Sequence, residues 1–224
     1  MLAWLVFMNF AETTRASLVN RLRDHDDTEA WSEFVDIYGP VIYRYGRHRG
    51  LQDADGADLA QDVLREVAQS IGRFQYDPTV GRFRSWLFLI TRRVLIKRFQ
   101  VAKRGLIGTG DTTLLRQLNE IPADQADPAW EIEYQKQVFR WASDRVKSEF
   151  AESTWLAFWM TAVDAAKPVS VADQLGMTVG AVYVAKNRVL KRIRERISRI
   201  DDTMDFPSSA DRSGPDNGPS IAWK

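Results

Sequence analysis

Residues 170–193 read SVADQLGMTVGAVYVAKNRVLKRI. Val171, Ala172 and Leu175 fall at helical intervals, and Gly176 stands where a residue of positive φ ends a first helix. Thr178 is placed to cap a second helix, because its hydroxyl can accept from an otherwise unpaired N–H. In that second helix Val182, Val189, Ile193 and Ile200 line one face, with Leu190 and Ile197 beside them. Ala181, Val184, Asn187, Arg188 and Lys191 point elsewhere, and Ala172 is small where the two helices must cross. This is the form of a helix-turn-helix, which in DNA-binding proteins sets its second helix in the major groove with the first turns at the bases. The competing reading is a helical hairpin inside a larger protein, with a solvated charged face. From Lys186 to Arg199 there are seven basic residues and one acid, Glu195, a lopsided balance for a face that meets only water.

The rest of the chain bounds what such a motif serves. At 224 residues there is room for one large or two small domains, each with core enough to fold unaided. Cysteine is absent, so disulfides and thiolate zinc sites are excluded and a reducing cytoplasm is the expected setting. The net charge of +1 conceals segregation along the chain. Gly81 to Arg104 holds eight basic residues and no acid, whereas Asp111 to Glu133 holds six acids against Arg116. Two basic blocks set apart by an acidic one predict two separate contacts with a polyanion.

The opening MLAWLVFMNF is too short to span a bilayer and lacks the basic start and cleavage site of a signal peptide. It is expected to be an extension, with Met8 as an alternative start. No other segment is expected to cross a membrane. The tail after residue 200, rich in Pro, Gly, Ser and Asp, is expected to be disordered.

Between the ends the patterning predicts helices and no strand. Residues 13–50 give two or three helices, broken near Asp24–Asp27 and ended by Gly50, with Leu18, Leu22, Trp31, Phe34, Val35 and Tyr38 as buried faces. Residues 53–74 open with carboxylates suited to a helix N-terminus, and Leu59, Val63, Val67 and Ile71 form an apolar stripe. Asp58, Asp62, Arg65 and Gln69 share the opposite face. A turn at DPTVG, residues 77–81, precedes a helix over RFRSWLFLITRRVLIKRFQ. That helix is apolar on two sides, with Leu87, Ile90 and Val94 on one and Phe88, Leu95 and Phe99 on the other. Arg92, Arg93, Lys97 and Arg98 lie between them. Interleaved aromatic and basic residues suit single-stranded nucleic acid, whose bases stack on rings while the backbone follows the cations. A core helix whose long cationic stems run out along its surface reads equally well from these residues alone. Residues 105–130, polar and acidic with Pro122 and Pro128, read as an inter-domain linker. Trp141, Val146, Phe150, Trp155, Phe158 and Trp159 are expected to wrap the apolar side of the terminal motif.

Taken together, DGADLAQDVLREVAQSIGRF, then FRSWLFLITRRVLIKR, an acidic linker and a terminal helix-turn-helix resemble a bacterial RNA polymerase sigma factor of the extracytoplasmic-function (ECF) class. The resemblance runs from about Thr14 to Ile200, and FQYDPTVGRFRSWLFLITRRVL is similar to members from planctomycete-type bacteria. It implies an all-α fold: an N-terminal extension over 1–13, a region 2-like domain over 14–104, the linker over 105–130, a region 4-like helix-turn-helix domain over 131–200, and the tail over 201–224. The two domains are expected to move freely about the linker.

The resemblance also implies roles. Asp58, Gln61, Asp62 and Arg65 would dock on the polymerase. Phe83, Arg84, Trp86, Arg92, Arg93, Lys97 and Arg98 would open and read the −10 element, which requires bases drawn out of the stack. Thr178, Ala181, Tyr183, Val184, Asn187 and Arg188 would lie at −35 base edges, with Lys186, Lys191 and Arg192 near phosphates. Val184 and Ala185 stand where many relatives carry polar side chains, which leaves room for methyl contact or shape readout. Asp111, Glu120, Asp124 and Asp127 fit an acidic linker threaded through an RNA path. The expected partners are core RNA polymerase and promoter DNA, duplex and melted, with regulation by an anti-sigma factor that nothing in the sequence identifies. No cofactor, metal, small-molecule substrate or catalytic residue is expected. His25 and His48 are isolated, and Asp53, Asp55, Asp58 and Asp62 lack the partners of a metal-dependent hydrolase. The alternative is a stand-alone helix-turn-helix regulator.

Overall fold

The computed structural model describes residues 18–74, 83–105 and 127–198. The DPTVG turn, linker residues 106–126, Ile200 and both chain ends lie outside the described residues. The fold is all-α, with no strand among the described residues. Short α1 (Leu18–Arg21) leads to α2 (Thr28–His48), α3 (Asp53–Ser70) and α4 (Phe83–Gly105). Then come α5 (Pro128–Val146), α6 (Glu152–Ala162), α7 (Pro168–Leu175) and α8 (Val179–Ile197).

The break near Asp24–Asp27 has a local cause. Asp27 caps α2 by accepting from the Ala30 N–H at 2.9 Å, and its carboxylate takes both ends of the Arg21 guanidinium at 2.8 Å. Beyond it, α2 is one helix of 21 residues even though Pro40 lies inside it. A proline removes the hydrogen bond to the carbonyl four residues back, here that of Asp36. Gln137 of α5 replaces it: its amide donates to the Asp36 carbonyl at 3.0 Å and accepts from Arg44 at 2.8 Å. The orphan acceptor is thus satisfied from a helix about a hundred residues away.

The α2 stripe runs through Phe34, Ile37, Tyr38, Val41, Ile42 and Tyr45, all buried. Val35, expected in the core, is 43 % exposed, because it falls one residue off that stripe. At Gly46 α2 runs tightly against α3. A Cβ there would lie 2.7 Å from Leu59 Cδ2.

Both apolar sides of α4 are buried, which explains its unusual pattern. Phe83 meets Phe34 and Tyr38 of α2, and Phe88 packs between Tyr45 of α2 and Trp130 of α5. One apolar cluster continues from α1 through α5 and α6 to Val189, Leu190 and Ile193 of α8. Trp141, Val146, Trp155 and Phe158 belong to it, with Phe150 and Trp159 packed against it. A smaller cluster of Ala157, Val171, Ala172, Val182 and Ala185 holds α6, α7 and the start of α8 together.

Helix α5 therefore lies on the N-terminal helices. Tyr134 stacks on Tyr38 with ring centroids 5.6 Å apart, and Trp130 meets Tyr45 edge-on. Arg145 pairs with Asp36 at 2.8 Å, and Arg196 of α8 reaches Glu33 of α2 at 3.3 Å. Asp127, counted as a linker acid from the sequence, is 4 % exposed. It caps α5 through the Ala129 N–H, accepts from the Tyr45 hydroxyl at 2.8 Å and pairs with Arg49. Burial pushes the Tyr45 phenol above its ordinary value, so its proton stays in place as a donor.

Candidate nucleic-acid interface

Helices α7 and α8 are joined by a turn whose geometry follows from a glycine, a threonine cap and a small apolar contact. Gly176 takes a φ of 63°, the left-handed conformation that glycine adopts without cost and that ends α7. Thr178 accepts from the Ala181 N–H at 3.1 Å and starts α8. Val171, Ala172 and Val182 bury the inner angle.

Val182, Ala185, Val189 and Ile193 turn α8 inward. The opposite face carries Gly180, Tyr183, Val184, Asn187, Arg188 and Lys191, all exposed. Arg188 and Lys191 have no acidic partner among the described residues. Ala181 and Lys186 are half-buried at the edges of this face, and Thr178 is exposed at its head. Arg192 differs, since it pairs with Glu149 and with Glu195 at 3.3 Å. Gly180 also belongs to the exposed face, where the helical period alone places it.

The α4 candidates divide. Phe83 is buried among aromatic rings. Arg84 is buried too, paired with Glu131 of α5 and set over the Tyr134 ring at 4.6 Å. Both are held by the core rather than offered to a ligand. Trp86 is half-buried against Phe74 and Phe83, at the end of α4 that follows residues 75–82. Trp86, Arg93 and Lys97 share a face at helical spacing. Arg93 reaches Glu66 of α3 at 2.9 Å, whereas Lys97 is exposed. Arg92 is half-buried, and Arg98 is engaged by Asp62 of α3.

On α3, Asp58 and Gln61 are exposed, and Asp62 lies between Arg98 and Arg65. Their hydrogen bonds, the one from Arg98 foremost, hold the Asp62 carboxyl below the usual carboxylate range. Helices α3 and α4 flank an open cleft of about 720 Å³, into which Asp62, Arg65, Lys97 and Arg98 all project. The structure thus brings two of the four docking candidates beside two of the strand-opening candidates. Asp53, Asp55, Asp58 and Asp62 do not gather: Asp53 accepts from Tyr43, and no metal-holding group of three or more acidic or histidine side chains occurs among the described residues. No helix among them is long and apolar enough to cross a membrane.

Residues 34–105, from α2 to the end of α4, match the family model described as Sigma-70 region 2. No curated protein matches the chain. The matched segment contains the α3 face, the cleft and the whole of α4, while the exposed basic face of α8 lies beyond it. Over residues 34–105, about a third of its length, the chain is thus similar to Sigma-70 region 2.

Proposed function

We propose that the chain is a compact sigma factor of the ECF class, similar to those of planctomycete-type bacteria, with a region 2 and a region 4. The reading rests on one combination: a Sigma-70 region 2 match over 34–105, followed by a short-turn helix pair whose second helix presents Asn187, Arg188 and Lys191 to solvent. Asp58, Gln61, Asp62 and Arg65 dock on core RNA polymerase. Trp86, Arg93 and Lys97 contact the opened −10 strand, with the ring available for stacking and the cations for phosphates. The exposed face of α8 enters the major groove at the −35 element as the second helix of a helix-turn-helix. The protein does no chemistry of its own and works in the cytoplasm beside the polymerase, subject to masking by an anti-sigma partner. Polymerase raises the affinity for promoter DNA by holding both contacts at once.

Run-off transcription with purified protein and core polymerase from a related bacterium, on a pool of promoter fragments, tests this. Discrete transcripts that vanish without the protein are expected. If the core polymerase gives none while the protein alone protects a palindromic duplex, it is a stand-alone regulator instead.

A further inference from the structure

The exposed face of α8 is apolar where base edges would come closest. Val184 is 58 % exposed and Tyr183 52 % exposed, and neither is needed to close the core, which takes Val182 and Ala185 instead. Gly180, one turn earlier on the same face, leaves the helix backbone bare: a Cβ there would meet nothing nearer than Thr178 Oγ1 at 4.0 Å. Apart from the Tyr183 hydroxyl, the long hydrogen-bonding side chains on the face, Asn187 and Arg188, come a turn later. From Thr178 to Arg194 there is no acid, so along α8 itself the patch adjoins only neutral and basic residues.

An apolar patch of this kind suits a protein as well as DNA. The surrounding charge decides for DNA, because Arg188 and Lys191 continue the face and have no acidic partner among the described residues. A major groove presents only one apolar group at base edges, the C5-methyl of thymine. Guanine and cytosine edges would leave polar atoms unpaired against Val184, which costs free energy. We infer that Val184, flanked by Tyr183 and by the bare backbone at Gly180, selects promoter DNA by contact with a thymine methyl at the upstream element. This rests on α8 being the −35 reader and names the chemical group that it reads.

The test uses polymerase carrying the full chain and a promoter identified by run-off transcription. Each thymine of the upstream element is replaced singly by deoxyuridine, which removes the methyl and keeps every hydrogen-bonding group. With the wild-type chain, at least one replacement is expected to weaken binding about fourfold, the loss of one buried methyl. With Val184→Ala that ratio is expected to fall to about one, while Lys191→Ala weakens binding to both DNAs and keeps the ratio. Val184 is exposed, so its truncation leaves the fold intact. Equal affinity for thymine and deoxyuridine DNA at every position with the wild-type chain would overturn the inference, as would a ratio unchanged by Val184→Ala. Either result leaves the sigma reading standing. Absence of any promoter-selective binding removes that reading and the inference with it.

Discussion

Asp62 shows how a single carboxylate is shared between structure and surface. It accepts from Arg98 of α4 and from Arg65 one turn along α3, yet its side chain is about a third exposed. At this exposure the pairs stabilise the fold by about 1 kcal/mol or less. Because the folded protein holds the Asp62 carboxyl below its ordinary value of 3.8, that contribution is complete above pH 3.8 and is lost as pH falls through the lower, folded value. Thermal unfolding of the wild type and Asp62→Asn is therefore expected to show a small, constant gap from pH 7 to about pH 5, which closes on further acidification. A gap that widens in acid would mean that Asp62 is not the titrating partner of Arg98. Asp62 and its neighbours were legible as a polar face because helical spacing alone puts them there. Asp127 was not: a short acid before a proline suits a helix cap and a linker equally, and only the tertiary contacts with Tyr45 and Arg49 distinguish the two.

Among the elements, α2 is the one whose continuity depends on another helix. Its apolar period is readable without interruption on both sides of Pro40, but the proline argues locally for a break. What keeps the helix whole is Gln137, whose amide restores the bond that the proline denies to the Asp36 carbonyl. Gln137→Leu is expected to cost about 0.5–1.5 kcal/mol in urea unfolding, the net worth of a hydrogen bond to a part-buried acceptor. In a Pro40→Ala background the restored N–H can take the Asp36 carbonyl itself, so the same truncation should cost measurably less. Additive effects would show that Gln137 acts only through its bond with Arg44. The turn between α7 and α8 is legible in the sequence for the opposite reason. Gly176 and Thr178 act within a few residues, so their chemistry is complete in the local sequence.

For the whole molecule, the segregated charge that the sequence displays acquires a second meaning once the helices are assembled. The acidic stretch that separates the two basic blocks supplies Asp127 to Arg49 and Glu131 to Arg84, pairs made across 78 and 47 residues. These contacts, with Trp130 and Tyr134, fasten α5 to α2 and α4. A basic residue in α4 is therefore not in itself a nucleic-acid contact, and composition cannot tell Arg84 from Lys97. Their environments can. Arg84→Ala leaves Glu131 and the Tyr134 ring without their cation in a largely buried setting, and is expected to lower the unfolding free energy by about 2–4 kcal/mol. Lys97→Ala removes an exposed charge with no acidic partner among the described residues, and should change stability by less than about 0.5 kcal/mol. The order reverses for function. At a temperature where both variants are folded, Lys97→Ala should reduce open-complex formation and flatten its salt dependence, as loss of a phosphate contact does. Arg84→Ala should leave the salt slope unchanged. A reduced slope for Arg84→Ala would mean that α5 lifts away from α4 when the promoter is bound, freeing that guanidinium for DNA.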